Sequence, residues 1–319
     1  MMNLRTLFGG GALKPHWHFE ASHVLWRFLV SENGLILGED RDTDAKHVTF
    51  FAIEMHTGRV LWSGRSYGEA WWTGIEALVG AKLYLHGFAK PDMPEHHGLK
   101  AIDPQTGREL WSNNEISFYA ADDERVIGFR DMFERRIFEA FDAHTGVRLG
   151  ELQAIDADIH ELRGRTFGRT DFIYPEPLGP TSMLQHAHLT QPGEGAASAE
   201  PESTQYATAE TNMDENKAIS ALIERSLGSH PGAQNAAQPP IVEYARAESR
   251  VAFSAHIPNA QAGSLLHLLI VVDEKSGKEL FRDTLNADTP YPMTDSFFID
   301  GDTLYYIKEK RSLVALPLI

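Results

Sequence analysis

The chain is 319 residues long and 42% hydrophobic, enough for a sizeable core in one large repeat domain or two ordinary ones. Its 29 basic and 45 acidic residues leave a net charge of −16 with only short basic runs such as Arg135-Arg136 and Lys310-Arg311, so nucleic acid and anionic membrane surfaces are not expected partners. With no cysteine, disulfides, thiol catalysis, Cys-borne lipid and Cys-ligated metals are excluded.

Residues 1–14 are Gly-rich and read as a flexible arm before a domain over 15–319. The opening MMNLRTLFGGGALKPHW is too broken for a signal-peptide core, and no window approaches ~20 continuous apolar residues. The expectation is a cytoplasmic protein with no membrane insertion. Pro15 to Phe19 alternates aromatic with His and reads as a short strand. Val24 to Val30 and Leu35 to Leu37 flank Glu32-Asn33-Gly34, a hairpin signal. His47 to Ile53 and Arg59 to Ser63 complete four strands in up-and-down order. A second unit follows with Trp72 to Val79, Lys82 to Phe88, Gly98 to Asp103 and Glu109 to Ser112. A third takes Ser117 to Ala121, Val126 to Arg130, Ile137 to Asp142 and Val147 to Leu152. Apolar alternation is frequent here and a sustained period of 3.6 is absent.

Asp158 to Arg163, Thr170 to Pro175 and Met183 to Leu189 read as three strands of a degenerate unit. Composition then shifts over about 190–239 to Ala, Glu, Gln, Thr, Pro and Ser, too little apolar surface to fold alone. Within it, Ile219, Leu222, Ile223 and Leu227 share one face of a short helix over Asp214 to Leu227. Asp214 is its predicted N-cap and Gly228 its stop. Ile241 to Ala247, Arg250 to His256, Leu265 to Asp273 and Glu279 to Asp283 form a further unit. Ser296 to Asp300, Thr303 to Lys308 and Leu313 to Ile319 form the last, one strand short.

A hairpin motif runs through these units. Ala101, Asp103, Thr106, Gly107 and Trp111 recur at the same offsets as Ala52, Glu54, Thr57, Gly58 and Trp62. Ala140, Asp142, Thr145 and Gly146 repeat it with Gly150 in the Trp position, and Val271, Asp273, Ser276, Gly277 and Phe281 repeat it once more. The acids stand 49 residues apart (54 to 103), then 39 (103 to 142), then 131 (142 to 273), about three periods. A four-stranded sheet every ~40–50 residues is the signature of a β-propeller blade. The fold class is therefore all-β, a single propeller of four-stranded antiparallel blades. Counting third strands gives six blades, with five or seven as alternatives. The last blade lacks a strand, and Trp17 stands before Val24 as Trp62 and Trp111 stand before their following units. The N-terminal strand is thus predicted to pair with Leu313 to Ile319 and close the ring.

The motif Ala-x-Asp-x-x-Thr-Gly-x-x-x-Trp resembles the repeat of the pyrroloquinoline-quinone-type (quinoprotein-like) β-propellers. The resemblance implies that the Trp-bearing strand docks on the neighbouring blade and that Thr-Gly turns between the two outermost strands. The quinone-dependent dehydrogenases with this repeat are larger and eight-bladed, with a vicinal disulfide and a calcium-bound cofactor, so pyrroloquinoline quinone is not expected here, nor any other cofactor. The outer-membrane assembly lipoprotein of this repeat type needs a signal peptide and a lipidated Cys. The remaining likeness is to uncharacterised bacterial propellers of the superfamily.

Repetition weighs against catalysis by the motif itself. Glu54, Asp103, Asp142 and Asp273 are expected to accept turn N–H groups, and the Trp residues to pack between blades. Gly64-Arg65-Ser66-Tyr67-Gly68 fits the nucleophile-elbow pattern, but a strand rather than a helix is predicted after it. His16/His18 and His186/His188 are i, i+2 pairs, each sharing a strand face, and are candidate metal ligands lacking a third partner. His96-His97 is a further close pair. Asp40, Asp42 and Asp44 alternate as in calcium loops, but Ala45 replaces the turn Gly and Phe51 the bidentate Glu, so a solvated turn is preferred and no metal is expected. Propeller geometry places a site in the central channel, beside the blades' first strands. The polar and aromatic candidates there are His23, Trp26, Trp72, Glu76, Tyr119, His160, Arg163, Tyr244, Arg246 and Asp295, about half of which strand alternation turns inward. The expected function is a non-catalytic scaffold or interaction module with a protein partner. The alternative is a ligand- or metal-binding enzyme whose channel takes a small molecule.

Overall fold

A computed structural model of the chain describes residues 12–88, 95–133, 135–167, 172–178, 212–228, 240–259 and 263–319. These residues divide into two compact units, one over 21–167 and the other combining 12–20 with 172–319. The chain is all-β, built of antiparallel four-stranded sheets of the β-propeller type.

In the unit over 21–167, strands follow one another in each sheet as the hairpin signals predict. β1 (Trp17–Glu20) belongs to the other unit; β2 (Val24–Val30), β3 (Leu35–Asp42), β4 (His47–Glu54) and β5 (Val60–Arg65) make the first sheet here. β6 (Thr73–Val79), β7 (Lys82–Phe88), β8 (His96–Ile102) and β9 (Glu109–Asn113) make the second. β10 (Ser117–Ala121), β11 (Arg125–Met132), β12 (Arg135–Asp142) and β13 (Arg148–Glu151) make the third. The middle sheet is covered on both faces. Leu83 and Leu85 pack toward the first sheet and Tyr84 toward the third, so three successive residues are fully buried.

The strand predicted over Asp158 to Arg163 is instead α1 (Ala157–Thr166), which makes His160 and Arg163 helical. Asp156 caps it by accepting from the Ile159 N–H at 3.0 Å. Ile159 and Leu162 explain the difference. Three residues apart, they would point to opposite faces of a strand, whereas on a helix both reach Ala120 and Ile127 of the third sheet.

The other unit holds two sheets. Of the strand predicted over Thr170 to Pro175, the described part makes a single bridge between Ile173 and Ile299, followed by the two-residue β14 (Glu176–Pro177). Met183 to Leu189, the third strand of the expected fourth blade, lies outside the described residues. With its first strand helical and its second reduced to a bridge to Ile299, that blade does not form as expected, and five sheets are described where six blades were expected. α2 (Asn212–Leu227) is the predicted helix; it starts two residues earlier, placing Asp214 inside it rather than at the cap. The predicted face is the buried one. Ile219, Leu222, Ile223 and Leu227 pack on Val242, Val251, Phe253, Ile270 and Val272. This part of the predicted insertion is therefore core, not a free loop. β15 (Ile241–Ala247), β16 (Arg250–Pro258), β17 (Leu265–Asp273) and β18 (Glu279–Thr289) form the sheet it covers, with β14 added at the edge.

The last sheet has the order β1-β21-β20-β19, from β19 (Phe297–Asp300), β20 (Thr303–Lys308) and β21 (Ser312–Pro317). The N-terminal strand pairs antiparallel with β21, as predicted, with Trp17 opposite Ala315. That register repeats through the chain. Ala52 faces Trp62, Ala101 faces Trp111, Val271 faces Phe281 and Ala140 faces Gly150. A small residue opposite each large ring is what lets the indole lie over the sheet instead of colliding with its neighbour.

Candidate functional site

The repeated residues are consumed by turns and packing. Gly58, Gly107, Gly146 and Gly277 lie at φ of 69°, 66°, 69° and 68°, the left-handed region that a side chain resists. Each donates its N–H to the carbonyl of its acid at 2.8 Å. The acid side chains accept from the turn. Asp103 takes Gln105 N–H and the Thr106 hydroxyl, and Asp142 takes Thr145 N–H and hydroxyl. Glu54 is bound by Arg59 and Thr57, which hold its carboxyl at about 2. The Trp62 indole N–H reaches Pro104 O at 2.8 Å and that of Trp111 reaches Ala143 O at 2.9 Å. A Cβ on Gly107 would stand 2.8 Å from the Trp62 ring, and one on Gly146 2.7 Å from the Trp111 ring. These glycines are seats for the neighbouring indoles. The 64–68 segment is likewise structural. No helix follows it; Tyr67 turns inward and donates to Gly107 O at 2.8 Å.

What varies sits elsewhere. The first strand of each sheet over 21–167 breaks register once, between Leu25 and Arg27, between Ile75 and Ala77, and between Phe118 and Ala120. The extra residues of these three β-bulges are Trp26, Glu76 and Tyr119, all among the predicted channel-lining residues. A bulge takes its side chain out of the strand's alternation and re-aims it. Trp26 is 48% exposed. The Arg41 guanidinium lies 5.7 Å from its ring and 5.0 Å from that of Trp71, over which the Lys46 ammonium also sits at 4.8 Å. Arg163 of α1 stands 4.6 Å over the Tyr119 ring and donates to Tyr119 O, while His160 Nδ1 is 3.5 Å from the Tyr119 hydroxyl.

Glu76 belongs to a tighter group. Three consecutive strands of the second sheet bring together Glu76 (β6), His86 (β7) and His96 (β8), with one ligand-type atom of each within 4.8 Å of the others. His96 Nδ1 is 2.7 Å from Glu76 Oε2, and the two imidazoles stack at 3.5 Å. His86 Nδ1 lies 3.1 Å from Gly87 O. Phe88 meets both rings edge-on, and Trp72 meets Phe88. Burial pushes His86 down to about 4, with the neighbouring His96 adding to it. Burial would raise Glu76, but the His96 hydrogen bond and the charges of His86, His96 and Arg27 outweigh it and hold the carboxyl low. A Cβ on Gly74 would stand 2.9 Å from His86 Nε2, 3.1 Å from Glu39 Oε1 and 3.2 Å from Arg41 Nη2, so a side chain there would crowd all three. Sequence reasoning found Glu76 and noted His96 beside His97, which is exposed. It missed His86, whose proximity comes from hairpin register rather than from sequence spacing.

The remaining candidates are dispersed. His23 is half-exposed beside Asp40 and Asp42, at 3.5 and 3.3 Å. Asp40 accepts the N–H groups of Ser22 and His23 just before β2, and Asp42 accepts those of Asp44 and Ala45 in the turn that follows it. His16 and His18 are exposed, and among the described residues no third ligand joins them. His186 and His188 lie outside the described residues. In the other unit, Tyr244 packs with the α2 cluster, and Arg246 pairs with Glu274 at 2.6 Å. Asp295 donates its N–H to Glu243 Oε1 at 3.2 Å. Glu243 is pushed up to about 7 by burial, while burial lowers the stacked His256 and His267 to about 4 and about 2.

A family model described as "Domain of unknown function (DUF4905)" matches residues 29–111, less than half of the chain. No curated protein matches. Among solved structures, the uncharacterized protein lmo1340 from Listeria monocytogenes EGD-e is 8% identical, with 92% of this chain and 94% of that one covered and a TM-score of 0.31. The β-propeller domain of the Trilobed protease from Pyrococcus furiosus is also 8% identical, with 93% and 94% covered and a TM-score of 0.31. A member of the duf4221 family from Bacteroides vulgatus is 10% identical, with 96% and 97% covered and a TM-score of 0.29. None of these likenesses assigns a role to a residue of this chain.

Proposed function

We propose that the chain is a non-catalytic binding scaffold of quinoprotein-type repeats that engages a protein partner through the bulge position of its first strands. One observation carries this. The motif residues (the acid and the Gly of every copy, and the Trp where it is kept) are used up in turns and seats. The bulge repeats in backbone but changes in side chain, from Trp26 to Glu76 to Tyr119. A repeated backbone position with variable chemistry is where a repeat protein can encode what it binds without disturbing its packing. Trp, Tyr and Arg are also the residue types that dominate binding energy at protein interfaces, and Trp26, Tyr119 and Arg163 supply them here.

The test compares proteins cross-linked to the tagged wild-type chain with those on Trp26→Ala, Tyr119→Ala and a Tyr291→Ala control, another exposed aromatic. A partner depleted about tenfold or more on both bulge variants but kept on the control supports the reading, since hot-spot truncation costs about 2 kcal/mol or more. Partners retained on all three, with unchanged melting temperatures, would remove it.

A further inference from the structure

We propose that Glu76, His86 and His96 form a binding site for a divalent cation of zinc's chemistry. The donor set is two imidazoles and one carboxylate, which suits zinc and leaves a fourth position open. The inference is independent of the partner reading, sharing only Glu76 with it.

The surroundings are those of a ligand set. With its Nδ1–H donated to Gly87 O, His86 carries its free lone pair on Nε2, the second contact that orients a metal-binding imidazole. The missing side chain at Gly74 leaves room beside that nitrogen, a space that Glu39 Oε1 and Arg41 Nη2 also border. The Ser117 hydroxyl donates to the His96 carbonyl at 2.7 Å and fixes the start of β8. Phe88 and Trp72 wall one side with apolar rings, while the Glu76 and His96 side chains stay 12% and 23% exposed, a path for an ion. The nearby cations are engaged elsewhere. Arg41 is paired with Glu39 at 2.7 Å, and Arg27 donates to Ile75 O at 2.8 Å.

Binding asks two adjustments of the resting geometry. The proton between His96 Nδ1 and Glu76 is displaced by the cation, and their 2.7 Å contact opens to about 3.3 Å, the ligand separation of tetrahedral zinc with ~2.0 Å bonds. Lone pairs lie in the ring planes, so two imidazoles stacked at 15° cannot aim at one point. One ring must turn about χ2, a soft torsion, and His96 is the freer because His86 is the more buried and tied to Gly87.

The experiment titrates ZnCl2 into the full-length, EDTA-stripped and dialysed chain by calorimetry, with Co2+ absorption as the spectroscopic signature and thermal unfolding alongside. One zinc per chain and a raised melting temperature are expected. Glu76→Gln and His96→Gln should each weaken uptake by about tenfold or more and abolish the thermal shift, while the double variant His16→Gln/His18→Gln behaves as wild type. His86→Asn should do the same; because His86 is buried it can also fail to fold, in which case the two partly exposed ligands decide. Absence of saturable uptake, or uptake unchanged in Glu76→Gln and His96→Gln, overturns the site. So does loss of uptake only in the His16/His18 variant. Neither result bears on partner capture through Trp26 and Tyr119, so the two readings fail separately.

Discussion

Gly107 and Gly277 sit in the same turn, with φ of 66° and 68° and the same N–H bond back to the acid, yet different groups rest on them. On Gly107 lies the indole of Trp62, rigid and donating its N–H to Pro104 O. On Gly277 lie Leu222 and Arg225 of α2, with Nη1 of Arg225 3.0 Å from where a Cβ would be. The third sheet shows the complementary substitution. Its Trp position is Gly150, and the face beyond is covered by Ile159 and Leu162 of α1. A blade of this repeat therefore needs a cover on each face, and either an indole from another blade or an amphipathic helix can supply it. Where Gly150 takes the Trp position the chain provides a helix, and where Phe281 takes it a ring is kept.

The two kinds of cover should differ in strength. Trp111→Ala removes a buried ring from the Gly146 seat and leaves Ala143 O without its donor, for a loss of about 3–5 kcal/mol in denaturant unfolding. Trp17→Ala, in the corresponding place against Tyr305, should fall in the same range. Leu222→Ala deletes one of four helix contacts and should cost about 2–4 kcal/mol. A larger loss at Leu222 than at Trp111 would reverse the ranking and make the helix the stronger lock.

This contrast also marks where the sequence was legible. The hairpins were, because the Thr-Gly turn and the Ala-to-Trp offset are local constraints that each copy must satisfy alone. The pairing of Trp17 with Ala315 followed from the same offset, applied across the ends of the chain. α1 was misread because Ile159 and Leu162 look like sparse strand residues until the bare sheet face they cover is known. α2 was legible as a helix, its face of Ile219, Leu222, Ile223 and Leu227 being periodic, but its role was not, since the seat it covers lies some fifty residues onward at Gly277. The candidate site was half visible. Glu76 stood on a recognisable first strand, whereas the bulge that re-aims it and the register that brings His86 to it are tertiary facts.

Glycine substitutions separate the turn from the seat. Gly64→Ala places a side chain at φ 68° with nothing within 4 Å, so it measures the backbone penalty alone, about 1–2 kcal/mol. Gly277→Ala adds a contact with the flexible end of Arg225, which can swing away, and should cost little more. Gly107→Ala drives a methyl into an indole that cannot yield without breaking its bond to Pro104, adding about 1–3 kcal/mol of overpacking. The order Gly107 above Gly277, and Gly277 near Gly64, is the expected result. Equal losses at Gly107 and Gly64 would mean the indole is not seated on the turn.

The smallest effect tests whether the turn itself is indifferent to its cover. Asp142, under an indole, and Asp273, under α2, both have carboxyls held below their ordinary value. The cause is first the Thr145 or Ser276 hydroxyl and then the N–H of the same residue. A folded-state pKa below the unfolded one adds stability that is complete above about 3.8 and disappears as pH falls through the lowered value. Asn at either position keeps an acceptor oxygen but removes the charge, so the fall in melting temperature between about pH 4 and pH 2 should flatten in both variants. Asp273→Asn should flatten it slightly more, because Arg250 also contacts that carboxylate. If Asp142→Asn flattened the acid limb and Asp273→Asn left it unchanged, the turn beneath α2 would no longer depend on its own acid. The helix would then hold the turn as well as the sheet face, and the two covers would differ in kind rather than in degree.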